Sequence, residues 1–284
     1  MRERRQLLNI AYRLLGSLAD AEDVVQESYA RWYALEPRQR DEIVSPGAWL
    51  TTVTSRICLD LLGSARVRRE RYVGQWVPEP LAGGTDADPA DRVTLDESVA
   101  MAFLVVLETM TPAERVAFVL HDVFRYSFAE VGRIVGRSPG ACRQLASSAR
   151  RRVASARVRR GPEERRAEVV RAFARAWAAR DIDALIGLLD PAAVAVSDGG
   201  GLVEAAIEPI VGAERIAHGL VEIMRLVPGL VVLERTVNGQ PGVVTQLDGV
   251  TATVVAFDVA GGRITRFWAV RNPEKLRAWT NVLY

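Results

Sequence analysis

The sequence predicts a multidomain protein: two all-α domains, the second a helix-turn-helix, followed by an α+β domain with a meander sheet. Three observations predict it. Apolar residues recur at helical spacing through residues 1–73 and resume past residue 93. Two capped helices flank the four-residue turn "GRSP", Gly136 to Pro139. From Arg165 onward, two helical patterns give way to β-branched runs separated by glycine turns. At 284 residues the chain can hold two or three domains, each with its own core.

Leu7, Leu8, Ala11, Leu14, Leu15 and Leu18 outline the first helix, which Gly16 ends. Asp20 is expected to cap the second, with Val25, Tyr29, Trp32 and Tyr33 as its apolar face. After the turn "VSPG", a third helix is expected from Ala48 through "WLTTVTSRICLDLLGSARVRRER". Residues 74–95 read as a linker, because "GQWVPEPLAGGTDADPAD" is rich in Pro, Gly and Asp. It nevertheless carries Trp76, Val77 and Leu81, an apolar load that implies packing against something.

The second helical domain spans 96–160, with a helix expected from Val93 to Met110. Thr111, Pro112 and Glu114 form a capping box, and Ser127 with Glu130 repeats it. Gly136 ends that helix, Ser138 caps the next, and Pro139 begins it. In residues 165–284, "EVVRAFARAWAAR" and "DIDALIGLLD" read as helices. Strands are expected near "LVVLERTV", "GVVTQL", "VTATVVAFDV" and "RITRFWAV", with Gly-Gln-Pro-Gly, Asp-Gly and Gly-Gly as hairpin turns.

No apolar run reaches the ~18–20 residues that span a bilayer, so no membrane helix is expected. The N-terminus has basic and then apolar residues, but Asn9, Tyr12 and Arg13 interrupt them at helical spacing, which favours an amphipathic helix over a signal peptide. Cys58 and Cys142 lie far apart in helical patterns, as in a reduced cytoplasmic protein, and no metal or cofactor site is read. The net charge of +2 conceals an asymmetry. Residues 131–160 hold nine Arg and no acidic residue, the electrostatic footprint of a polyanion partner. A merely solvated face would interleave Glu or Asp.

In the second helix of the helix-turn-helix, Cys142, Leu145, Ala149 and Val153 are expected to face inward. Arg143, Gln144, Ser147, Arg150 and Arg151 then face outward, where Arg and Gln can make bidentate contacts to guanine and adenine edges. Arg137 and Ser138 at its start, and the arginines from Arg150 to Arg160, are suited to phosphates.

"LLNIAYRLLGSLADAEDVVQESYARWY" resembles region 2 of bacterial extracytoplasmic-function sigma factors. "SPGAWLTTVTSRICLDLLGSARVRRER" resembles the part that reads the minus-ten element, and "LETMTPAERVAFVLHDVFRYSFAEVGRIVGRSPGACRQLASSARRR" resembles region 4, which reads the minus-thirty-five element. Three such motifs in register are specific, and they cover the first 160 residues. The resemblance implies that core RNA polymerase binds the chain through its clamp helices and flap, with Asp23, Gln26 and Glu27 on the docking surface. It also implies that the helix after Glu42 holds a flipped minus-ten base, with Trp49 as a candidate stacking platform. Arg56, Arg66, Arg68, Arg69 and Arg71 would track the DNA backbone.

The last 120 residues resemble the SnoaL-like fold, a helix-backed curved sheet forming a cone with a pocket. A subgroup of these sigma factors carries this extension and three short motifs. Here they read "WVPEP" (Trp76 to Pro80), "DGGG" (Asp198 to Gly201) and "NPEKL" (Asn272 to Leu276). The resemblance implies regulation in cis, with Trp76, Pro78, Glu79 and Pro80 docking near Asp198, Gly199, Gly200, Gly201, Asn272, Pro273, Lys275 and Leu276. It leaves open whether the pocket takes a small-molecule ligand.

Two other classes fit part of the pattern. A ligand-sensing helix-turn-helix regulator explains the DNA helix and the pocket but not the region 2 pattern. An enzyme with a DNA-binding appendage needs a general acid or base. The candidates Asp198, His218, Asp248 and Asp258 form no pair at a spacing that demands catalysis, and the last two read as turn formers. The expectation is a non-enzymatic promoter-recognition factor.

Overall fold

The computed structural model describes residues 2–69, 72–83, 93–94, 97–156 and 163–280. The chain divides into two compact units. One contains Met1–Glu70, Gly84–Thr94 and Phe103–Ala156; the other contains Arg71–Gly83, Leu95–Ala102 and Arg157–Tyr284.

The first unit is all-helical. Helices α1 (Arg2–Leu15), α2 (Leu18–Tyr33), a short α3 (Pro37–Asp41) and α4 (Pro46–Arg69) come first. Gly16 adopts φ +69° and ends α1, as its lack of Cβ allows. The cap of α2 is Ser17, whose hydroxyl accepts from Asp20 N, so Asp20 lies inside the helix rather than capping it. Its buried face is Ala21, Val24, Val25 and Ser28, with Tyr29 and Trp32 half-buried, whereas Tyr33, five residues past Ser28, falls off that stripe and is exposed. Helix α4 begins two residues earlier than the sequence pattern suggested, with Pro46 in the first turn, where proline's missing N–H costs nothing.

Helices α5 (Met101–Glu108, in this unit from Phe103 on), α6 (Pro112–Phe118), α7 (Phe128–Val135) and α8 (Pro139–Ala156) complete the unit. Both capping boxes form, Thr111 with Glu114 and Ser127 with Glu130. After α6 the backbone widens into a π turn, Val119–Val123, closed by Phe124 N–H to the Val119 carbonyl at 3.1 Å. The expected single helix to Met110 begins only at Met101, after a 3-10 turn at Glu97–Val99. Helix α4 packs against α6 and α7, so the two helical segments share one core.

The second unit is a six-stranded sheet backed by helices α9 (Glu163–Ala179), α10 (Ile182–Leu188) and α11 (Ala213–Leu226), with α12 (Arg277–Thr280) near the end of the chain. The strands are β1 (Leu189–Asp198), β2 (Ile210–Val211), β3 (Val231–Val237), β4 (Gln240–Leu247), β5 (Val250–Ala260) and β6 (Arg263–Val270), in the order β2-β1-β6-β5-β4-β3. The expected meander β3 to β6 is present. Strand β1 adds to it, running parallel to β6 with Asp198 opposite Val270. This strand was not anticipated as such: "LDPAAVAVSD" carries a proline and small residues in place of a β-branched run. The first hairpin turn is Asn238-Gly239, at φ +52° and +71°, and Gln240, Pro241 and Gly242 lie in β4.

Side chains alternate along the strands. Val243, Val255 and Phe267 face the helices, while Val244, Val254, Trp268 and Val270 are buried on the other face. Phe173 is the centre of the helix-facing core, with ring centroids 5.4 Å from Phe257, 6.2 Å from Phe267 and 6.2 Å from Trp177. Phe173→Ala should therefore destabilise this unit by about 3–5 kcal/mol. Urea unfolding followed by tryptophan fluorescence would read it as an earlier midpoint with an unchanged slope.

Candidate functional site

The helix-turn-helix is built from local rules. Gly136 takes φ +69° and closes α7 through its N–H to the Gly132 carbonyl at 2.9 Å. The Ser138 hydroxyl then accepts from Ala141 N at 3.2 Å and starts α8. The inward face of α8 is Cys142, Ala146, Ala149 and Val153. Leu145, expected there, is only half-buried, because the buried stripe steps from 142 to 146 by four residues. Arg143, Gln144, Ser147, Arg150, Arg151 and, before the helix, Arg137 and Ser138 are exposed. Arg143 lies over the Phe128 ring at 5.4 Å, and Arg150 pairs with Asp122 at 2.6 Å.

In the first helical segment, Asp23, Gln26 and Glu27 are exposed on α2, and Glu27 pairs with Arg31 at 2.8 Å. Trp49 is half-buried, in edge contact with Trp32 at 5.2 Å. Arg56 is exposed and donates to the Arg133 carbonyl at 2.7 Å, on the α4 face that meets α7. Tyr126 joins the same seam, its hydroxyl accepting from Gln6 at 2.7 Å and lying 3.2 Å from the Thr51 hydroxyl. Arg66, Arg68 and Arg69 lie on α4, but their side chains are outside the described residues, as are Arg71 and Arg157 to Arg160.

The second unit contains a clasp around residues 72–83. Asp198, at the end of β1 and fully buried, accepts from the Tyr72 hydroxyl at 2.6 Å and from Gly200 N at 3.1 Å through one oxygen. Its other oxygen accepts from Val77 N at 2.9 Å and from Lys275 Nζ at 2.7 Å. Lys275 also donates to the Val77 carbonyl at 2.6 Å and sits over the Trp76 ring at 4.2 Å. Pro78, Glu79 and Pro80 are buried, and Trp279 Nε1 donates to the Pro80 carbonyl at 2.8 Å. Farther along, Asn238 accepts from Leu81 N at 3.0 Å and donates to the Val99 carbonyl at 2.7 Å.

Two of the three glycines make room for this clasp, while Gly199 packs on its own loop at Val203 and Ala205. A Cβ on Gly200, at φ +64°, would lie 2.6 Å from Asn272 Cγ, and one on Gly201, at φ +73°, would lie 3.0 Å from Val73 Cβ. Asn272 is held where its side chain donates to the Tyr72 hydroxyl at 2.9 Å and accepts from Glu274 N at 3.0 Å.

The sigma-70 region 2 family profile matches residues 1–68, and the sigma-70 region 4 profile matches residues 100–153. ECF RNA polymerase sigma factor SigJ of Mycobacterium tuberculosis is 41% identical over 287 residues, covering 96% of this chain and 90% of that protein. The chain belongs to the extracytoplasmic-function RNA polymerase sigma factors. A second relative, the probable ECF sigma factor SigI of Mycobacterium tuberculosis, is 36% identical over 277 residues, covering 96% of this chain and 92% of its own length. The crystal structure of Mycobacterium tuberculosis SigJ aligns with a TM-score of 0.78 at 36% identity, over 98% of this chain and 96% of that one.

This sigma factor directs RNA polymerase to promoters through its region 2 and region 4 helices, and its C-terminal α+β unit has the SnoaL-like arrangement of curved sheet, backing helices and cavity. No helix among its described residues is long and apolar enough to cross a membrane. Of the residues singled out in the C-terminal unit, Asp198 and Lys275 meet Val77 directly and Lys275 also meets Trp76, while Asn272 meets Tyr72 and Gly200 meets Asp198 and Asn272. Leu276 is buried, Pro273 exposed. His218 is an exposed helix residue bonded to the Glu214 carbonyl, and Asp248 is an exposed turn residue at φ +51°.

Sequence reasoning missed Tyr72, Asn238 and Trp279. Asn238 had a signal, the Asn-Gly pair that favours a left-handed turn; Tyr72 and Trp279 had none beyond being aromatic. Burial, and then the hydrogen bond to Asp198, hold the Tyr72 phenol above its ordinary value. A folded value raised above the unfolded one stabilises fully below about pH 10 and is lost as pH rises further. The stability of this unit should therefore fall above pH 10, and Tyr72→Phe should blunt that fall in denaturation measured across the alkaline range.

Removing one partner of a buried pair leaves an uncompensated charge, so Lys275→Ala should cost the C-terminal unit about 3–5 kcal/mol. Lys275→Arg should not restore it, because a planar fork does not fit where a point charge meets a carboxylate, a carbonyl and two rings. Chemical denaturation of both variants tests this.

Proposed function

We propose that this protein is a cytoplasmic, non-enzymatic sigma factor whose SnoaL-like domain regulates it in cis by holding the linker between regions 2 and 4. The buried Asp198–Lys275 clasp on Trp76 and Val77 carries this reading. Both promoter elements must be contacted together, so the freedom of the linker sets how region 2 and region 4 can be spaced. Region 4 reads the minus-thirty-five element with Arg143, Gln144, Ser147 and Arg151, while Arg137 and Ser138 meet phosphates. Arg150 contributes after leaving Asp122.

Region 2 reads the minus-ten element with Trp49 and Arg56, supported by Arg66, Arg68 and Arg69. Asp23, Gln26 and Glu27 dock on the polymerase clamp helices, and region 4 meets the flap. In the closed first unit, Arg56 is engaged by the Arg133 carbonyl, and Trp49, Tyr126 and Glu130 line one cleft. Promoter engagement requires α4 and α7 to part there.

Run-off transcription with purified core polymerase tests the reading. The full chain should initiate from a cognate promoter; DNA binding without initiation would instead mark a conventional helix-turn-helix regulator. Arg143→Ala should weaken promoter binding by about tenfold, as the loss of one base contact of ~1–3 kcal/mol implies. Asp198→Ala should raise the transcript yield by freeing the linker. An unchanged yield, with the clasp shown to be lost by hydrogen exchange at Val77, would refute regulation through the linker.

A further inference from the structure

We propose that the cavity of the C-terminal domain binds an apolar carboxylic acid of medium chain length, and that its occupancy acts on the clasp beside it. The cavity has a volume of about 330 Å³, within the ~300–1,000 Å³ of small-molecule sites. Its walls are apolar, formed chiefly by Trp177, Ile216, Leu220, Leu230, Val255 and Phe267. A cavity with such walls favours a hydrocarbon guest over ordered water.

Besides the Ser197 and Thr253 hydroxyls on the wall, two groups, a buried unpaired hydroxyl and a guanidinium, define the guest's other end. Thr245, on β4 and 1% exposed, lines the cavity, and its hydroxyl has no hydrogen-bond partner among the described residues. A buried hydroxyl left unpaired is destabilising, and an oxygen of a guest would satisfy it. The Trp177 N–H, by contrast, is already taken by the Leu220 carbonyl at 3.1 Å. Arg271 is the charged lining residue. Its Nη1 donates to the Glu204 carbonyl, one of the five N–H donors a guanidinium carries.

The lining residues among those described include no Asp, Glu, His, Lys, Cys or Tyr. An anion therefore meets no repulsion, a cation would find no counter-charge, and the acid–base pair that turnover would need is missing. Hydrocarbon walls, one unpaired hydroxyl and one guanidinium describe a carboxylate with an apolar tail.

The route to the clasp is short. Val196 and Ser197 line the cavity, and the next residue is Asp198. Arg271 N donates to the Asp198 carbonyl at 2.7 Å, and its neighbour Asn272 donates to Tyr72. Ala205 and Ala206, also on the wall, belong to the loop that Gly199 to Gly201 begin. A carboxylate that draws Arg271 from the Glu204 carbonyl acts on both ends of this loop. The effect on transcription rests on the cis-regulatory reading above; the binding does not.

The test is isothermal titration of the full chain with sodium decanoate, without polymerase, so that its failure is separate from any failure of that reading. Saturable one-to-one binding is expected. Arg271→Gln should weaken it by about tenfold, and Thr245→Val, which deletes an unpaired hydroxyl and should keep the fold, by about threefold. Ala269→Phe should abolish it by filling the cavity. Absence of saturable binding, or binding unchanged by both Arg271→Gln and Thr245→Val, overturns the proposal; 1-decanol binding as tightly as decanoate overturns the carboxylate assignment. Decanoate should also change the hydrogen-exchange rate of the Val77 amide, and saturable binding with that rate unchanged overturns the coupling.

Discussion

The buried ion pair of Asp198 and Lys275 is the contact on which the organisation of the C-terminal unit turns. A carboxylate taken out of water is tolerated only when its oxygens are met by donors. Asp198 meets four: a phenol, two backbone amides and an ammonium. Two of these donors, Tyr72 and Val77, belong to the segment 72–83 that carries the start of the linker, so the charge is satisfied only when that segment is in place. Linker docking and the burial of that charge are one event.

Lysine suits the position. The chain has 36 arginines and a single lysine, and that lysine is the one in the clasp. Its compact ammonium reaches a carboxylate, a carbonyl and the Trp76 face together. On α8, by contrast, every cationic side chain is an arginine. The same economy of shape explains the glycines after Asp198, which admit Asn272 and Val73 where a Cβ would stand.

The first unit is organised by a different constraint. Regions 2 and 4 share a seam joined by hydrogen bonds of Tyr126 and Arg56, while the outward face of α8 stays exposed. The arginines of α8 are thus open to solvent, while Trp49 on α4 is half-buried against Trp32.

Local rules carried much of this in the sequence. The capping boxes at Thr111 and Ser127, the left-handed Gly136 and the basic outward face of α8 follow from spacing and residue type, because each is decided within a few neighbouring residues. The sigma pattern and the three short motifs named the family and pointed to the segments that meet. The fold decided what depends on distant residues. Strand β1 exists because β6 offers it a parallel edge, although its own sequence is a poor strand former. Ala146 rather than Leu145 is buried because the stripe of α8 that meets α6 and α7 steps from 142 to 146. Tyr72, Asn238 and Trp279 acquired roles only when strands and linker were brought together. The unpaired Thr245 hydroxyl is legible only once the walls around it are known. Sequence determines which groups are available, and burial determines which of them must find a partner.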